Sequence, residues 1–382
     1  MLVLSHSDGC SLTPHKKKIR QHTTPKDTRR FAFFMLTVTD IERAQERIRQ
    51  SQCDSIHVTA VKSFETINQI VSQLVCRDVS VEFKCDHEQP VGSFKIRGAL
   101  NFVLSSGEDG IKRGFVTHSS GNHGLAVATA ARFVGAKAVV VVPEGAPVEK
   151  IEKIRAQSSE IVECEATLQA REAACSKLCS DMNMIEIPPF NHLYTMAGQG
   201  TMGLEIAEQV PDADVVLAAV GGCGMISGIS TALKAKNPRI DVIGVEPSAV
   251  DDTIQSLKVG HIRGPSDPMR TTICDALRVN PPGSLCFQIV QKLVTEVISV
   301  EDSQVVDAMR LLWKEAGIMT EPSGACATAG LFSRRFIELL KTNSSWRKVV
   351  VVICGRNIAE NAFQKMIREY IPIVGLCPFR LY

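Results

Sequence analysis

Residues 92–99 have the sequence GSFKIRGA, and Lys95 stands where an extended segment meets a predicted helix, Lys95–Leu104. A lysine at this position is unusual, because cations are favoured at the carboxyl end of a helix. The helix dipole and burial would both lower the pKa of its amine. A lysine with a lowered pKa can act as a Schiff-base nucleophile. The alternative is an ordinary surface lysine in a loop.

A second polar segment, residues 117–124 (THSSGNHG), follows the predicted strand Phe115–His118 and precedes the predicted helix Asn122–Phe133. Small residues at the start of a helix leave backbone N–H groups free to bind an anion such as a substrate carboxylate. An asparagine can donate to a phenolic oxygen, and a serine hydroxyl can transfer a proton. The alternative is a polar turn that caps the helix and binds no ligand.

A third segment, residues 220–228 (VGGCGMISG), lies between the predicted strand Val215–Val220 and the predicted helix Met225–Lys236. Closely spaced glycines let backbone amides surround a phosphate. The segment lacks the Gly-Lys-Ser/Thr of a Walker A loop, and its glycine spacing differs from that of a dinucleotide fingerprint. We therefore predict a binding loop for a single phosphate. The alternative is a tight turn in which the glycines serve packing alone.

Two further segments follow predicted strands. Residues 246–252 (EPSAVDD) place carboxylates on one turn, which suits a hard divalent cation or, alternatively, a solvated helix start. Cys354 ends the predicted strand Lys348–Ile353. A polar atom there can meet a ring nitrogen at the point where the strand order of a sheet reverses. The alternative is a buried cysteine that closes a core strand.

Short apolar strands alternate with helices along most of the chain, and several strands are apolar on both faces. Such strands belong to parallel sheets that helices cover on both sides. The alternation predicts an open, doubly wound α/β architecture, and the length of 382 residues suggests two such sheets with a ligand between them. The predicted helices include Thr39–Gln50, with Asp40 as its N-cap, and Gly324–Leu340. The predicted strands are Val79–Lys84, Phe115–His118, Ala138–Val142, Glu160–Cys164, Met184–Ile187, Val215–Val220, Val242–Glu246 and Lys348–Ile353.

The composition excludes several classes of protein. Hydrophobic residues make up 45% and charged residues 22% of the chain, which is typical of a globular protein and not of a disordered or fibrous one. A net charge of +2 and an aromatic content of 5% argue against a nucleic-acid partner. No apolar run approaches the roughly 20 residues of a membrane span, so we expect no membrane partner. The thirteen cysteines include no CxxC pair and indicate reduced thiols in a cytoplasmic protein.

Residues 1–34 differ from the rest of the chain, because they contain seven basic side chains and only two acidic ones. The segment has no sustained apolar periodicity and is predicted to be a disordered basic head. A targeting peptide is the alternative, since transit peptides are also basic and poor in acidic residues. The ordered part is predicted to begin at Met35.

The five segments together closely resemble the tryptophan synthase β-like family, the fold type II pyridoxal phosphate enzymes. Within that family the match is to the serine racemase and serine/threonine dehydratase branch. The signatures are SFKIRGA at 93–99, SSGNHG at 119–124 and AGQGT at 197–201, and the resemblance extends from about Ile56 to Asn357.

The resemblance implies an α/β fold of two doubly wound open sheets, with pyridoxal phosphate in the cleft between a large and a small domain. The large, cofactor-binding domain would comprise residues 35–113 and 192–382, and the small, mobile domain residues 114–191. The resemblance also implies a homodimer.

Each matching position is expected to have the role that it has in the family. Lys95 would hold the cofactor as a Schiff base and move the substrate Cα proton on one face. Ser120 matches the acid/base that serine racemases use on the opposite face. The other cofactor-binding positions are Phe94, Asn122, Gly221, Gly222, Cys223, Gly224, Met225 and Cys354, of which Cys354 would face the pyridine nitrogen. The substrate carboxylate is assigned to Ser119, Asn122, His123 and Arg171, and a Mg²⁺ or Ca²⁺ ion to Glu246, Asp252 and the Val250 carbonyl.

Some positions depart from the family pattern. Cys223 replaces a glycine, so we expect its side chain to point away from the phosphate. Cys354 stands where racemases carry serine, and Arg356 replaces a common glycine. Residues 188–191 (PPFN) are more similar to catabolic threonine dehydratases than to animal racemases.

We therefore expect an isomerase and lyase that depends on pyridoxal phosphate and acts on a small amino acid, serine or threonine. The expected activity is that of a serine racemase that also converts L-serine or D-serine into pyruvate and ammonia. One alternative is an L-serine/L-threonine ammonia-lyase without racemisation. Another is a catalytically silent member of the family that acts as a binding subunit, which Arg356 and Cys223 would favour.

Overall fold

The computed structural model describes residues 35–278 and 281–370. Within these ranges the chain is a mixed α/β protein with two sheets, so the predicted fold class is confirmed. The predicted disordered head, residues 1–34, lies outside the described residues. None of the described helices is both long and apolar enough to span a membrane.

The strands and helices alternate along the chain. The strands are β1 (Val61–Ser63), β2 (Ser80–Lys84), β3 (Phe115–His118), β4 (Ala138–Pro143), β5 (Glu160–Cys164), β6 (Ile185–Glu186), β7 (Val215–Ala219), β8 (Asp241–Pro247), β9 (Glu296–Val300) and β10 (Lys348–Val352). The helices are α1 (Val38–Ser51), α2 (Glu65–Val75), α3 (Lys95–Ser105), α4 (Gly107–Arg113), α5 (Asn122–Phe133), α6 (Val148–Arg155), α7 (Leu168–Met182), α8 (Leu193–Gln209), α9 (Gly224–Lys236), α10 (Asp252–Val259), α11 (Ser284–Leu293), α12 (Asp302–Ala316), α13 (Pro322–Leu331), α14 (Arg334–Thr342) and α15 (Glu360–Glu369).

Six strands form the first sheet, called here the large sheet, in the order β1–β2–β10–β7–β8–β9. All neighbouring pairs are parallel except β1 and β2. The central strand β10 is valine at 349–352, and all four valines are fully buried. Valine on both faces of a strand suits a parallel sheet that is covered on both sides.

Four strands form the second sheet, called here the small sheet, in the order β5–β4–β3–β6. All its pairs are parallel, and all its strands lie between residues 115 and 186. β3 ends at His118, directly before the polar segment 119–124. Because the carboxyl ends of parallel strands share one edge of a sheet, this edge presents the segment to the cleft.

Three details differ from the sequence-based expectations. The edge strands β1 and β9 were not predicted. β1 has only three residues, none of them buried, whereas β9 has three buried apolar residues among its five. The predicted single helix over 324–340 is two helices, since Ser333 begins α14 by accepting a hydrogen bond from the Phe336 N–H at 3.2 Å. The N-cap of α1 is Thr37 and not Asp40, whose carboxylate instead accepts a hydrogen bond from the Thr37 N–H in a capping box.

Candidate active site

The segment that carries Lys95 is joined to the end of β10. The Phe94 N–H donates to the Cys354 carbonyl oxygen at 3.1 Å, and the Arg356 N–H donates to the Gly92 carbonyl oxygen at 2.8 Å. Lys95 follows this contact directly as the first residue of α3. The backbone therefore places the candidate Schiff-base lysine beside Cys354, although the two residues are far apart in sequence.

The amine of Lys95 lies in a desolvated position. Its Nζ donates to the Pro189 carbonyl oxygen at 2.8 Å and is 5.1 Å from the centre of the Phe94 ring. Burial lowers the pKa of Lys95 to about 8, because charged amines are disfavoured away from water. A substantial fraction of the amine is therefore neutral near pH 8, and a neutral amine can attack an aldehyde.

A buried ion network lies behind Lys95 on α3. Arg97 uses all five of its N–H groups: two bind Asp86, two bind Glu205 and one binds Thr201, at distances from 2.6 to 3.0 Å. Lys84 Nζ also donates to Glu205 at 2.6 Å. Two cations and two carboxylates thus compensate one another in the interior, which a buried charge requires. The network ties the first turn of α3 to α8 and to the end of β2.

The glycine loop between β7 and α9 has a backbone shape that glycine would favour. Cys223 has a φ of +68°, in the left-handed region. Its Sγ contacts the Gly221 carbonyl oxygen at 3.6 Å and Thr253 Oγ1 at 3.5 Å. The side chain therefore occupies the protein interior. Phe190 packs against the other side of the loop. A Cβ at Gly222 would overlap the ring of Phe190.

Two serines precede α5, and their hydroxyl groups differ in their hydrogen bonds. The N-cap of α5 is Gly121, and its N–H donates to Ser119 Oγ at 3.3 Å. The hydroxyl of Ser120 has no hydrogen-bond partner within residues 35–278 and 281–370 and does not cap the helix. Ser120 is thus available for another role, whereas Ser119 stabilises the turn.

Asn122, the first residue of α5, reaches the elements of the large sheet. Its Nδ2 donates to Glu321 Oε1 at 2.6 Å, and its Oδ1 accepts from Asn357 Nδ2 at 2.7 Å. Glu321 is the N-cap of α13, and Asn357 follows β10. The predicted ligand of the cofactor's ring oxygen is therefore held from two sides.

The other two predicted carboxylate ligands are placed differently. The His123 ring lies 2.9 Å from the Ile187 carbonyl oxygen through Nε2, and burial lowers the pKa of His123 to about 3, so the ring is neutral. The ring N–H of His123 already donates to a carbonyl oxygen. The backbone N–H of His123 is therefore the donor that remains for an anion. Arg171, on α7, is close enough to His118 for its charge to lower the pKa of that imidazole further after burial. Arg171 thus lies near the end of β3.

Cys354 is a buried, neutral thiol. Its Sγ contacts the Ser323 carbonyl oxygen at 3.6 Å, and burial raises the pKa of the thiol well above its usual range. Glu321 raises that pKa further, whereas the charge of Lys95 lowers it. A neutral sulfur cannot form the strong ion pair that a carboxylate would form with a protonated ring nitrogen.

The carboxylates assigned to a cation are buried together. Glu246 accepts the Thr253 and Ile254 N–H groups at 3.3 and 2.8 Å, whereas Asp252 Oδ2 is buried without a partner. Burial raises the pKa of both groups, and Asp252 raises that of Glu246 further. Val250 lies on the single 3₁₀ turn before α10. No group of three or more His, Cys, Asp or Glu side chains among the described residues could hold a metal ion, so a metal is not shown.

Sequence reasoning missed four residues that contact the candidate site: Pro189, Phe190, Glu321 and Asn357. The helix start at 321–322 has a recognisable signal, since proline is favoured in the first turn of a helix and an acidic residue before it. Nothing local indicates that Glu321 meets Asn122, which lies 199 positions away along the chain.

A family model for the pyridoxal-phosphate dependent enzymes matches residues 63–355. The chain belongs to this family. It is 37% identical to a serine racemase of Dictyostelium discoideum over 332 residues, which cover 87% of this chain and 98% of the relative. It is 34% identical to an L-threonine ammonia-lyase of Thermotoga maritima, over 88% of this chain and 79% of the relative. The solved structure of maize serine racemase is similar with a TM-score of 0.80 and 35% identity, covering 87% of this chain and 97% of that one.

The site residues fit the cofactor that gives the family its name. A desolvated lysine amine with a pKa of about 8 suits its aldehyde, and the amides that begin α9 suit its phosphate. Glycine at 222 and 224 is required there, because a Cβ at either position would overlap Phe190. The neutral thiol of Cys354 and the amide of Asn122 are polar groups of the kind that a pyridine nitrogen and a phenolic oxygen need.

Proposed function

We propose that this protein is a pyridoxal phosphate-dependent serine racemase that also converts serine into pyruvate and ammonia. The observation that carries the proposal is the Ser120 hydroxyl, which stands at the start of α5 and has no hydrogen-bond partner in the described part of the chain. Racemisation needs an acid/base on each face of Cα, and a lysine can occupy only one face. Burial is the main cause that lowers the pKa of His123 in the first turn of α5, and the charge of Lys95 lowers it further, which supports one site for the lysine and the helix start.

The chain's own residues divide the work of moving the proton. Bound pyridoxal phosphate supplies an electron sink for the pair left at Cα. Lys95 Nζ takes or returns the Cα proton on one face, because a pKa of about 8 leaves both protonation states populated. Ser120 Oγ holds or returns the proton on the other face. The backbone N–H groups at the start of α5 bind the substrate carboxylate, with Arg171 assisting from α7.

The remaining predicted residues hold the cofactor in this proposal. Its phosphate is assigned to the backbone amides of 221–225, and its ring oxygen to Asn122. Cys354 would face the ring nitrogen, and Phe94 would pack beside the ring. The hydrogen bond from the Phe94 N–H to Cys354 supports the proximity of these two assignments.

Removal of the Cα proton allows two outcomes. If serine keeps its hydroxyl, return of a proton on the opposite face gives the other enantiomer. If the hydroxyl leaves with a proton as water, hydrolysis of the dehydrated product uses one water and releases pyruvate and ammonia. The first outcome requires Ser120 and Lys95, whereas elimination from L-serine requires only Lys95.

A serine assay that measures D-serine by chiral separation and pyruvate in the same sample tests the proposal. D-serine formed from L-serine together with pyruvate supports it. Pyruvate without D-serine would favour the second candidate, an L-serine/L-threonine ammonia-lyase without racemisation. The 188–191 segment, whose Phe190 lies on the glycine loop, and the threonine ammonia-lyase relative favour that candidate.

A divalent cation, Mg²⁺ or Ca²⁺, is proposed at Glu246, Asp252 and the Val250 carbonyl. Two observations support it: Asp252 Oδ2 is buried without a partner, and burial raises the pKa of both carboxyl groups, with Asp252 raising that of Glu246 further. A hard cation with oxygen ligands would offset the cost of ionising these groups.

The organisation of the molecule completes the proposal. Residues 114–191, which contain the small sheet, would form the small mobile domain, and 35–113 with 192–382 the large one. The proposed substrate is a small amino acid, with serine as the first candidate and threonine as the second, by the similarity to both kinds of relative. A homodimer and a cytoplasmic location are proposed from the family resemblance and the absence of disulfide-type cysteine spacing.

A further inference from the structure

The amide orientation of Asn122 is determined by a chain of hydrogen bonds. Asn357 Nδ2 donates to the Val91 carbonyl oxygen at 2.9 Å and to Asn122 Oδ1 at 2.7 Å. A carbonyl oxygen only accepts, so the atom of Asn357 that contacts it must be the amide nitrogen. That nitrogen requires an oxygen from Asn122, and the nitrogen of Asn122 therefore faces Glu321. Oxygen and nitrogen in Asn122 are assigned by the partners on both sides.

Glu321 lies at the other end of this series of hydrogen bonds, and its carboxyl group is closely packed. It accepts from Asn122 Nδ2 at 2.6 Å and is only 5% exposed. Gly355 packs so closely against the carboxyl that a Cβ at position 355 would overlap Oε1. The amide of Asn122 carries two hydrogens, and Glu321 uses one of them. The second hydrogen remains for an acceptor in the cleft.

Charged groups from several elements face Glu321. Burial is the main cause that raises the pKa of Glu321 to about 7, and Asp275 raises it further, whereas Asn122 and Lys150 act in the opposite direction. Lys150 of α6 and Asp275 form an ion pair at 2.6 Å. The thiol of Cys354 is a further neighbour, because Glu321 raises its pKa. Glu321 thus lies where elements of both sheets meet.

We propose that Glu321 is a positioning residue: it holds Asn122 so that the second Nδ2 hydrogen is kept for the phenolic oxygen of pyridoxal phosphate. Asn122 follows β3 of the small sheet, whereas Glu321 and Asn357 belong to the elements around β10 of the large sheet. The same contact therefore joins the two sheets beside the cofactor. This role rests on the cofactor site of the proposed function, and it is independent of the choice between racemase and ammonia-lyase.

A double-mutant cycle on the affinity for pyridoxal phosphate tests the role of Glu321. The variants are E321A, N122A and the double variant, each titrated with pyridoxal phosphate at pH 8 and followed by its absorbance. E321A loses one buried hydrogen bond, so its Kd should be about tenfold higher than that of the wild type, in which Asn122 is present. Where N122A is present, E321A should change Kd by less than about twofold, because the two residues act through one contact.

Two further variants separate positioning from a merely structural role. E321Q keeps an oxygen acceptor, so its Kd should lie within about threefold of the wild type. E338Q removes an exposed carboxyl on α14 and should leave Kd unchanged. Thermal unfolding of each variant reports whether it is folded, and E321L, which keeps the side-chain volume, replaces E321A in the cycle if that variant is unstable.

If E321A lowered the affinity for pyridoxal phosphate equally in the wild type and in N122A, Glu321 would act without Asn122, and the proposal would be overturned. A wild-type Kd in both E321A and E321L would also overturn it. A wild-type chain that binds pyridoxal phosphate but does not racemise serine would contradict the proposed function alone. A chain that binds no pyridoxal phosphate would overturn both.

Discussion

Cys223 Sγ lies 3.5 Å from Thr253 Oγ1, so the glycine loop contacts the first turn of α10 through the one residue that departs from its glycine pattern. Thr253 stands next to Asp252, and its N–H donates to Glu246. Burial is the main cause that raises the pKa of the Cys223 thiol, and the charges of Glu246 and Asp252 raise it further. The candidate phosphate loop and the candidate cation site are therefore adjacent parts of one region.

Magnesium or calcium should stabilise the wild-type protein, because an ion that binds only the folded state shifts unfolding by mass action. We expect a higher melting temperature with millimolar Mg²⁺ than with a chelator, and no such difference in Asp252→Asn. Sodium chloride at equal ionic strength is the control for screening. Equal melting temperatures of the wild type with Mg²⁺ and with chelator would rule out a structural ion.

Lys95→Ala should remove both the visible absorbance of the lysine-bound cofactor and all turnover of serine. The reason is that no other described residue offers a desolvated amine at the end of β10. Absorption spectra of the purified variant with added pyridoxal phosphate, compared with Lys153→Ala on the exposed face of α6, provide the measurement. A variant with normal absorbance and activity would exclude Lys95 as the attachment site.

Ser120→Ala should abolish the formation of D-serine from L-serine while much of the pyruvate formation survives. Elimination from L-serine needs only Lys95 for the Cα proton, whereas inversion needs a second group on the opposite face. Pyruvate formation from D-serine should fall together with racemisation, because its Cα proton lies on the Ser120 face. The ratio of D-serine to pyruvate in wild type and variant is the quantity to measure.

A helix-capping role for Ser120 predicts a different result. Loss of a cap costs about 1 kcal/mol of stability and lowers both activities together. The structure argues against that role, because Gly121 is the N-cap and no side chain caps α5. An unchanged ratio of the two products in Ser120→Ala would exclude Ser120 as the second acid/base.

Arg97→Met should destabilise the fold strongly, because it leaves the carboxylates of Asp86 and Glu205 buried without their main partner. Breaking a buried ion pair by removing one member costs about 3–5 kcal/mol. Urea denaturation of the purified proteins measures the difference. The matched control is Arg49→Met, which removes an exposed ion pair with Glu46 and should not change the midpoint. A midpoint for Arg97→Met equal to that of the control would contradict a stabilising network.

Glu321→Gln should change how the stability depends on pH. Burial raises the pKa of Glu321 from 4.5 to about 7, so the folded state binds the proton more tightly than the unfolded state. The resulting stabilisation is fully present below the unfolded pKa and is lost as the pH rises through 7. Between pH 5 and pH 8 the free energy of unfolding of the variant should therefore rise by about 2 kcal/mol relative to that of the wild type.

Urea unfolding at both pH values, with the same saturating concentration of pyridoxal phosphate, tests this expectation. Glu338→Gln changes an exposed carboxyl and should follow the wild type at each pH. Parallel stability curves for the wild type and Glu321→Gln would show that Glu321 does not titrate in this range.

The alternation of strands and helices can be predicted from short segments of the sequence. The strand bounds at Phe115–His118 and Glu160–Cys164 agree with the prediction, because each apolar strand is bounded by turn residues within a few positions. The divided helix over 322–342 was missed, since only the packing of Ser333 and its neighbours decides that a new helix begins there. The positions of Lys95 and of the glycine loop at element boundaries were likewise readable from the sequence.

Contacts between distant segments were decided by the tertiary structure alone. Glu321 and Asn122 are 199 positions apart, and Asn357 and Asn122 are 235 apart, so no local pattern joins them. His123 is assigned to the substrate carboxylate, and only the tertiary structure shows that its ring lies 2.9 Å from the Ile187 carbonyl oxygen. The sequence by itself determined where the candidate reactive side chains and the glycine turns lie along the chain, because these are short-range patterns. Their orientation and protonation depend on burial and on hydrogen-bond partners, which exist only once the two sheets have come together.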